Sequence, residues 1–163
     1  MDLAGIVEEV GAEVRTLQPG DEVFGVGQGA FAEYARASPS RLVSKPSNLS
    51  FEEAAAVPVS ASTALVGARA AELGTGRSVL ITGAGGGVGS HAVQIARSMG
   101  AEVTGVCSTA KLPFVAALGA AHVIDDTRED FTAGHASTKP SSTWRVGAWS
   151  PPCGERRSRR ARW

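Results

Sequence analysis

The chain has 163 residues, the length of one compact domain or parts of two. Its 43 % apolar and 6 % aromatic content, with 20 glycines, suits closely packed helix-on-sheet layers. Two cysteines, Cys107 and Cys153, without Cys-x-x-Cys spacing exclude a secreted disulfide framework, and no apolar run is long enough for a membrane span, so a cytoplasmic protein is expected. The net charge of zero hides an asymmetry: residues 1–131 carry 9 Lys or Arg against 15 Asp or Glu, whereas residues 132–163 carry 7 against 1.

Taken in order, residues 1–46 read as β-structure. Short apolar-rich runs at 4–10, 22–26 and 30–35 are punctuated by Gly11, by Pro19-Gly20-Asp21 and by Gly27-Gln28-Gly29. Residues 47–76 read as connecting helices. Ser50 and Glu53 have capping-box spacing ahead of an alanine run, and a second helix is expected over about 60–73, ending at Gly74. Residues 77–131 read as βαβαβ: strands at 78–82, 102–107 and 122–124, with helices over 88–99 and 111–118. Val88, Ala92, Ile95, Ala96 and Met99 recur at helical spacing, and Gly100 closes that helix. Strand–helix alternation implies an α/β fold with a parallel sheet covered on its faces. Residues 132–163 show no period and are expected to be disordered.

The main chemical signal is VLITGAGGGVG, a short apolar strand, a glycine loop and the start of an amphipathic helix. A pyrophosphate needs backbone N–H groups and the positive end of a helix dipole close to it, and side chains at the turn would block that approach. Ala84, Gly85, Gly86, Gly87, Val88 and Gly89 form the candidate cradle, in the pattern A-x-G-x-x-G. About 20 residues further on, an acid would select a free ribose 2′-hydroxyl. The sequence instead offers Ser108 and Lys111, a hydroxyl and a cation suited to a 2′-phosphate, so NADPH is favoured over NADH. The plainer alternatives are a helix N-cap for Ser108 and a solvated surface position for Lys111.

These residues resemble the medium-chain dehydrogenase/reductase superfamily in its zinc-independent quinone-oxidoreductase branch. The resemblance rests on DLAGIVEEVG, PGDEVFG, GAFAEYA, EEAAAVPVSASTAL, the glycine loop with its helix, and ALGAAHVIDDTREDF, in that order. It implies a partial GroES-like β domain over 1–46, a partial Rossmann domain over 77–131, and strands ahead of the position of Met1. It also implies hydride transfer from NADPH to a quinone or an α,β-unsaturated carbonyl, a small-molecule acceptor, and homo-oligomeric full-length relatives. Thr63 matches a family position near the nicotinamide end of the cofactor. The alternatives are a non-catalytic nucleotide-binding remnant, or an enoyl-thioester reductase or alcohol-dehydrogenase-like member of the same superfamily.

No zinc is expected. Zinc alcohol dehydrogenases carry Gly-His-Glu at this point, whereas Met1 and Asp2 stand in the His and Glu positions here. His91, His122 and His135 have no partner at ligand spacing. No catalytic acid or base can be named from the sequence. Asp126 replaces a Tyr found in many relatives, which weighs slightly against NADPH. After Phe131 the family pattern stops. An RNA-binding tail built on Arg156, Arg157, Arg159 and Arg160 is one reading, but out-of-frame translation explains the lost period, the reversed charge and the three late Trp together, and no nucleic-acid partner is expected.

Overall fold

The computed structural model describes residues 1–131 and the backbone of Ser142–Arg145. Three strands, β1 (Asp2–Ile6), β2 (Glu22–Val26) and β3 (Leu42–Ser44), form an antiparallel sheet in that order. The first strand stops at Ile6 rather than continuing to residue 10, because its partner begins at Glu22: Ile6 pairs with Glu22, and the turn through Gly20 (φ 95°) precedes it. The strand expected over 30–35 does not form. Gln28 and Arg36 make an isolated bridge, and between them Phe31 and Tyr34 stand exposed. β3 takes the second edge of β2 instead, a three-residue element too short to leave a period in the sequence.

Lys45, just after β3, fixes the path into the helices. Its ammonium pairs with Glu22 at 3.1 Å, donates to the Leu49 carbonyl at 2.7 Å and lies over the Phe51 ring. Helix α1 (Phe51–Ala55) carries the expected capping box: Ser50 Oγ accepts from the Glu53 amide, and Glu53 Oε2 accepts from the Ser50 amide. Helix α2 (Pro58–Ala70) starts two residues earlier than the sequence suggested, since Pro58 is pre-shaped for a first turn. Its N-cap residue Val57 provides no side-chain acceptor. Asp2 supplies one from β1, its Oδ1 accepting from the Val59 amide at 3.2 Å, so the first sheet is tied to the helix that leads to the second.

The remaining elements are β4 (Ser78–Thr82), α3 (Gly87–Ser98), β5 (Glu102–Cys107), α4 (Leu112–Ala117), β6 (His122–Asp125) and β7 (Ser142–Arg145). A 3-10 turn, Thr109–Lys111, precedes α4, so the helix expected over 111–118 is shorter and begins after Lys111. The four strands are parallel in the order β6-β5-β4-β7. Alternation along β4 sends Val79 and Ile81 into a core with Val93, Ala96, Val103 and Val115, while Leu80 joins Val106, Ile124 and Phe131 on the opposite side. Alanines on α2 and α3 (Ala64, Ala92, Ala96) let these helices lie close. Met99 and Gly100 end α3, with Gly100 at φ 84°.

The expectation of disorder throughout 132–163 is corrected for four residues. Ser142–Arg145 pairs with the free edge of β4, whose open N–H and C=O groups offer a ready partner. The rest of that segment, including His135, Cys153 and the arginine run, lies outside the described residues. Among the described residues no helix is long and apolar enough to cross a membrane.

Candidate functional site

The glycine loop joins the C-terminal end of β4 to the N-terminus of α3, beside the point where strand order reverses from β5 on one side of β4 to β7 on the other. In open α/β sheets such a switch point leaves a crevice outside the strand ends. Gly83, at φ 68°, makes the turn. Ala84 then needs no unusual backbone. It is fully buried, and its amide donates to the Val106 carbonyl at 2.9 Å, pinning the loop to β5. This is why alanine serves at the first position of the motif. Gly86 is the N-cap of α3 and offers no side chain, and the first turn contains no acid. The amides of Gly87, Val88 and Gly89 therefore have no acceptor within the helix and carry its positive dipole end. Val88 contributes only backbone to the crevice, because its side chain packs against the core.

Close approach explains the other glycines. A Cβ on Gly89 would overlap the Gly83 carbonyl oxygen and lie 2.8 Å from the Ala84 Cα. A Cβ on Gly85 would lie 2.5 Å from Lys111 Cδ. Lys111 thus lies across the loop, its stem on Gly85 and its ammonium donating to the Gly85 carbonyl at 2.8 Å. Ser108 holds the N-cap position of the 3-10 turn in backbone geometry, but its side chain makes no capping hydrogen bond. Ser108 thus serves as N-cap through its backbone alone, and Lys111, although exposed, is hydrogen-bonded to the loop.

Thr63 is placed differently from the loop residues. It is exposed on α2, and its hydroxyl donates back to the Val59 carbonyl at 2.7 Å. The α2 side chain that reaches the loop is Ser60, whose Oγ lies 3.2 Å from where a Gly87 Cβ would sit. Sequence reasoning passed over Ser60 as a site residue, although it lies within the EEAAAVPVSASTAL stretch that carries Thr63.

It also passed over a cluster at the ends of β5 and β6. The Asp125 carboxylate is 6 % exposed. Its Oδ2 accepts from Thr109 Oγ1 at 2.5 Å, and its Oδ1 accepts from the Thr127 amide at 3.0 Å and hydroxyl at 2.6 Å. Arg128 approaches Oδ2 at 3.6 Å. The hydrogen bonds from Thr109 and then Thr127 hold its pKa below the ordinary aspartate value. The signal that could have revealed it is the Asp-x-Thr spacing of an Asx turn. Next to it, burial first and the nearby carboxylates of Asp126 and Asp125 second raise the Cys107 thiol, which packs in the core as a small hydrophobe.

No group of three His, Cys, Asp or Glu side chains able to hold a metal ion occurs among the described residues. His91 sits on α3 with its ring Nδ1 2.9 Å from the Gly87 carbonyl, and His122 lies 3.3 Å from Glu102.

Comparison with known proteins gives two family matches: an alcohol dehydrogenase GroES-like domain over residues 1–47, and a zinc-binding dehydrogenase domain over residues 87–139. The second runs past Phe131, where the sequence reading placed the break, to residue 139. The 2-methylene-furan-3-one reductase of Solanum lycopersicum is 39 % identical over 80 % of this chain and 37 % of its own length. The chloroplastic NADPH-dependent alkenal/one oxidoreductase of Arabidopsis thaliana is 38 % identical over 79 % of this chain and 36 % of its own. Among solved structures, the quinone oxidoreductase from Coxiella burnetii superposes with a TM-score of 0.76 at 38 % identity, covering 80 % of this chain and 43 % of that one. The chain thus spans about two fifths of the length of the relatives it matches. With a GroES-like sheet followed by a parallel nucleotide-type sheet and its glycine loop, the chain belongs to the medium-chain dehydrogenase/reductase superfamily, in the branch of the quinone oxidoreductases.

Proposed function

We propose that residues 84–89, with Ser108 and Lys111, bind NADPH, and that the protein reduces a quinone or an α,β-unsaturated carbonyl without zinc. The observation that carries this reading is the pairing of a side-chain-free helix N-terminus with a hydroxyl and an ammonium at the end of β5. The crevice fits the coenzyme because Gly86 and Gly87 put no side chain at the helix N-terminus, where a Cβ would already lie 3.2 Å from the Gly83 carbonyl oxygen or from Ser60 Oγ, so that the amides of Gly87, Val88 and Gly89 would receive a pyrophosphate. The Ser108 hydroxyl and the Lys111 ammonium would take the 2′-phosphate, Lys111 exchanging the Gly85 carbonyl for it. Thr63 would lie toward the nicotinamide end. When bound, NADPH supplies a hydride, and an acceptor with a conjugated carbonyl completes its reduction by taking up one proton. Zinc is not required in this reading: Met1 stands where a ligand would be needed, and Asp2 is engaged with the Val59 amide.

Fluorescence titration with NADPH and NADH tests the proposal. NADPH should bind more tightly, and Lys111→Ala should weaken it about 10- to 100-fold while changing NADH little, the loss expected for one charge-assisted contact. Tighter binding of NADH by the unaltered chain would sink the assignment. Elemental analysis of the purified protein should find no stoichiometric zinc.

A further inference from the structure

We propose that Asp125 is a positioning residue for coenzyme selection: through Thr109 it holds the 108–111 turn so that Ser108 and Lys111 are presented together to a 2′-phosphate. The proposal rests on the NADPH reading above. An acid close to the end of the second Rossmann strand ordinarily argues for NADH, because a carboxylate accepts from a ribose 2′-hydroxyl and repels a 2′-phosphate. Asp125 lies close to that point, since it pairs with Cys107 at the end of β5. Its lone pairs, however, are turned inward.

Oδ1 is taken by the Thr127 amide and hydroxyl, and Oδ2 by Thr109 Oγ1, with Arg128 adding a cation at 3.6 Å. The carboxylate is buried under these donors and has no free oxygen edge to offer a ribose. Its charge is spent on the turn instead. Thr109 is the first residue of that turn, flanked by Ser108 and two positions from Lys111. Thr109 Oγ1 also lies 2.9 Å from Thr127 Oγ1, so the two threonines and the aspartate form a closed triangle across the ends of β5 and β6. A further bond, from the Asp126 amide to the Cys107 carbonyl at 3.1 Å, ties the same strand ends through the backbone. The backbone bond keeps the strands together when the side-chain triangle is cut. What the triangle adds is the placement of the turn.

The test is a set of titrations of the full 163-residue chain with NADPH and with NADH. Five proteins are compared: the unaltered chain, Thr109→Val, Thr109→Ser, Asp125→Asn and the double variant Thr109→Val/Asp125→Asn. Loss of one hydroxyl donor to a carboxylate should weaken NADPH about tenfold in Thr109→Val and leave NADH within about twofold. Thr109→Ser, which keeps the hydroxyl, should bind both coenzymes as the unaltered chain does. Asp125→Asn should match Thr109→Val, and the double variant should lose no more than either single one. The proposal is overturned if Thr109→Val keeps the unaltered NADPH affinity, or if both coenzymes weaken equally, which is the mark of a structural role alone. Selective weakening of NADH in Asp125→Asn also overturns it, because the carboxylate would then be reading a ribose. The NADPH reading fails separately, in the unaltered chain, if NADPH binds no more tightly than NADH. Thr109→Val keeps the test open even if Asp125→Asn does not fold.

Discussion

A methyl group on Gly89 would meet backbone, the Gly83 carbonyl and the Ala84 Cα, and neither can swing away as a side chain could. Gly89→Ala should therefore cost about 1–3 kcal/mol of stability and open the cradle, measurable as a lower denaturant midpoint together with weaker nucleotide binding. An unchanged midpoint would mean that the loop has slack the structure does not show. Asp125 makes a different demand at the same scale. The hydrogen bonds from Thr109 and Thr127 hold its folded pKa below the ordinary aspartate value, so the folded state binds its proton less readily than the unfolded chain. The stability it contributes is complete above the unfolded value and is lost as pH falls through the lower folded one. Thermal melts across the acid range should show a steeper acid loss for the unaltered chain than for Asp125→Asn, and parallel curves for the two would contradict the assignment.

At the scale of elements, caps and ties matter more than intrinsic helix preference. α1 has only five residues and depends on its capping box, so Ser50→Ala should cost about 1 kcal/mol, read as a shift in chemical denaturation. The helix–strand alternation of 77–131 was legible because β4, β5 and α3 carry strong periods, and because Gly83 and Gly100 mark the turns at which the backbone takes positive φ. The loop residues could be named from spacing alone. The partners that hold the site could not. Asp2 and Val59 are separated by 57 positions, and Thr109 and Asp125 by 16, and no local pattern announces a pairing over such distances. Strands 30–35 and β3 were misread for a related reason. An apolar run becomes a strand only where a neighbouring edge receives it, and β2 gives its second edge to Leu42–Ser44.

At the scale of the molecule, the three-stranded sheet and the residues near it leave a broad cleft of about 1030 Å³, lined by Leu3, Val10, Val14, Leu17, Val23 and Leu42 among others. Ile6 and Tyr34 border it and are 59 % and 72 % exposed. Glu8, Glu9 and Glu33 also line it, and the exposed apolar side chains among them should bind a hydrophobic dye such as anilinonaphthalene sulfonate. Fluorescence should fall when Ile6→Ser and Tyr34→Ser are combined, and a native chain that leaves the dye dark would show that the cleft is closed in solution.

The strand order of the second sheet also sets a sequence of events in time. β4 and β5 meet across a separation of 24 residues (Ser78 to Glu102) and β5 and β6 across 18 (Thr104 to His122), whereas β4 and β7 meet across 63 (Val79 to Ser142). Loop-closure entropy makes that last pairing costlier by about 0.9 kcal/mol than the β4–β5 pairing, so β7 is expected to dock after the other three strands have paired. The glycine loop, the α3 N-terminus and the Asp125 triangle all belong to the part that forms first. If β7 docks last, refolding should produce a nucleotide cradle open beside β4 before it produces a closed one, seen in stopped-flow refolding as nucleotide binding that precedes the final phase.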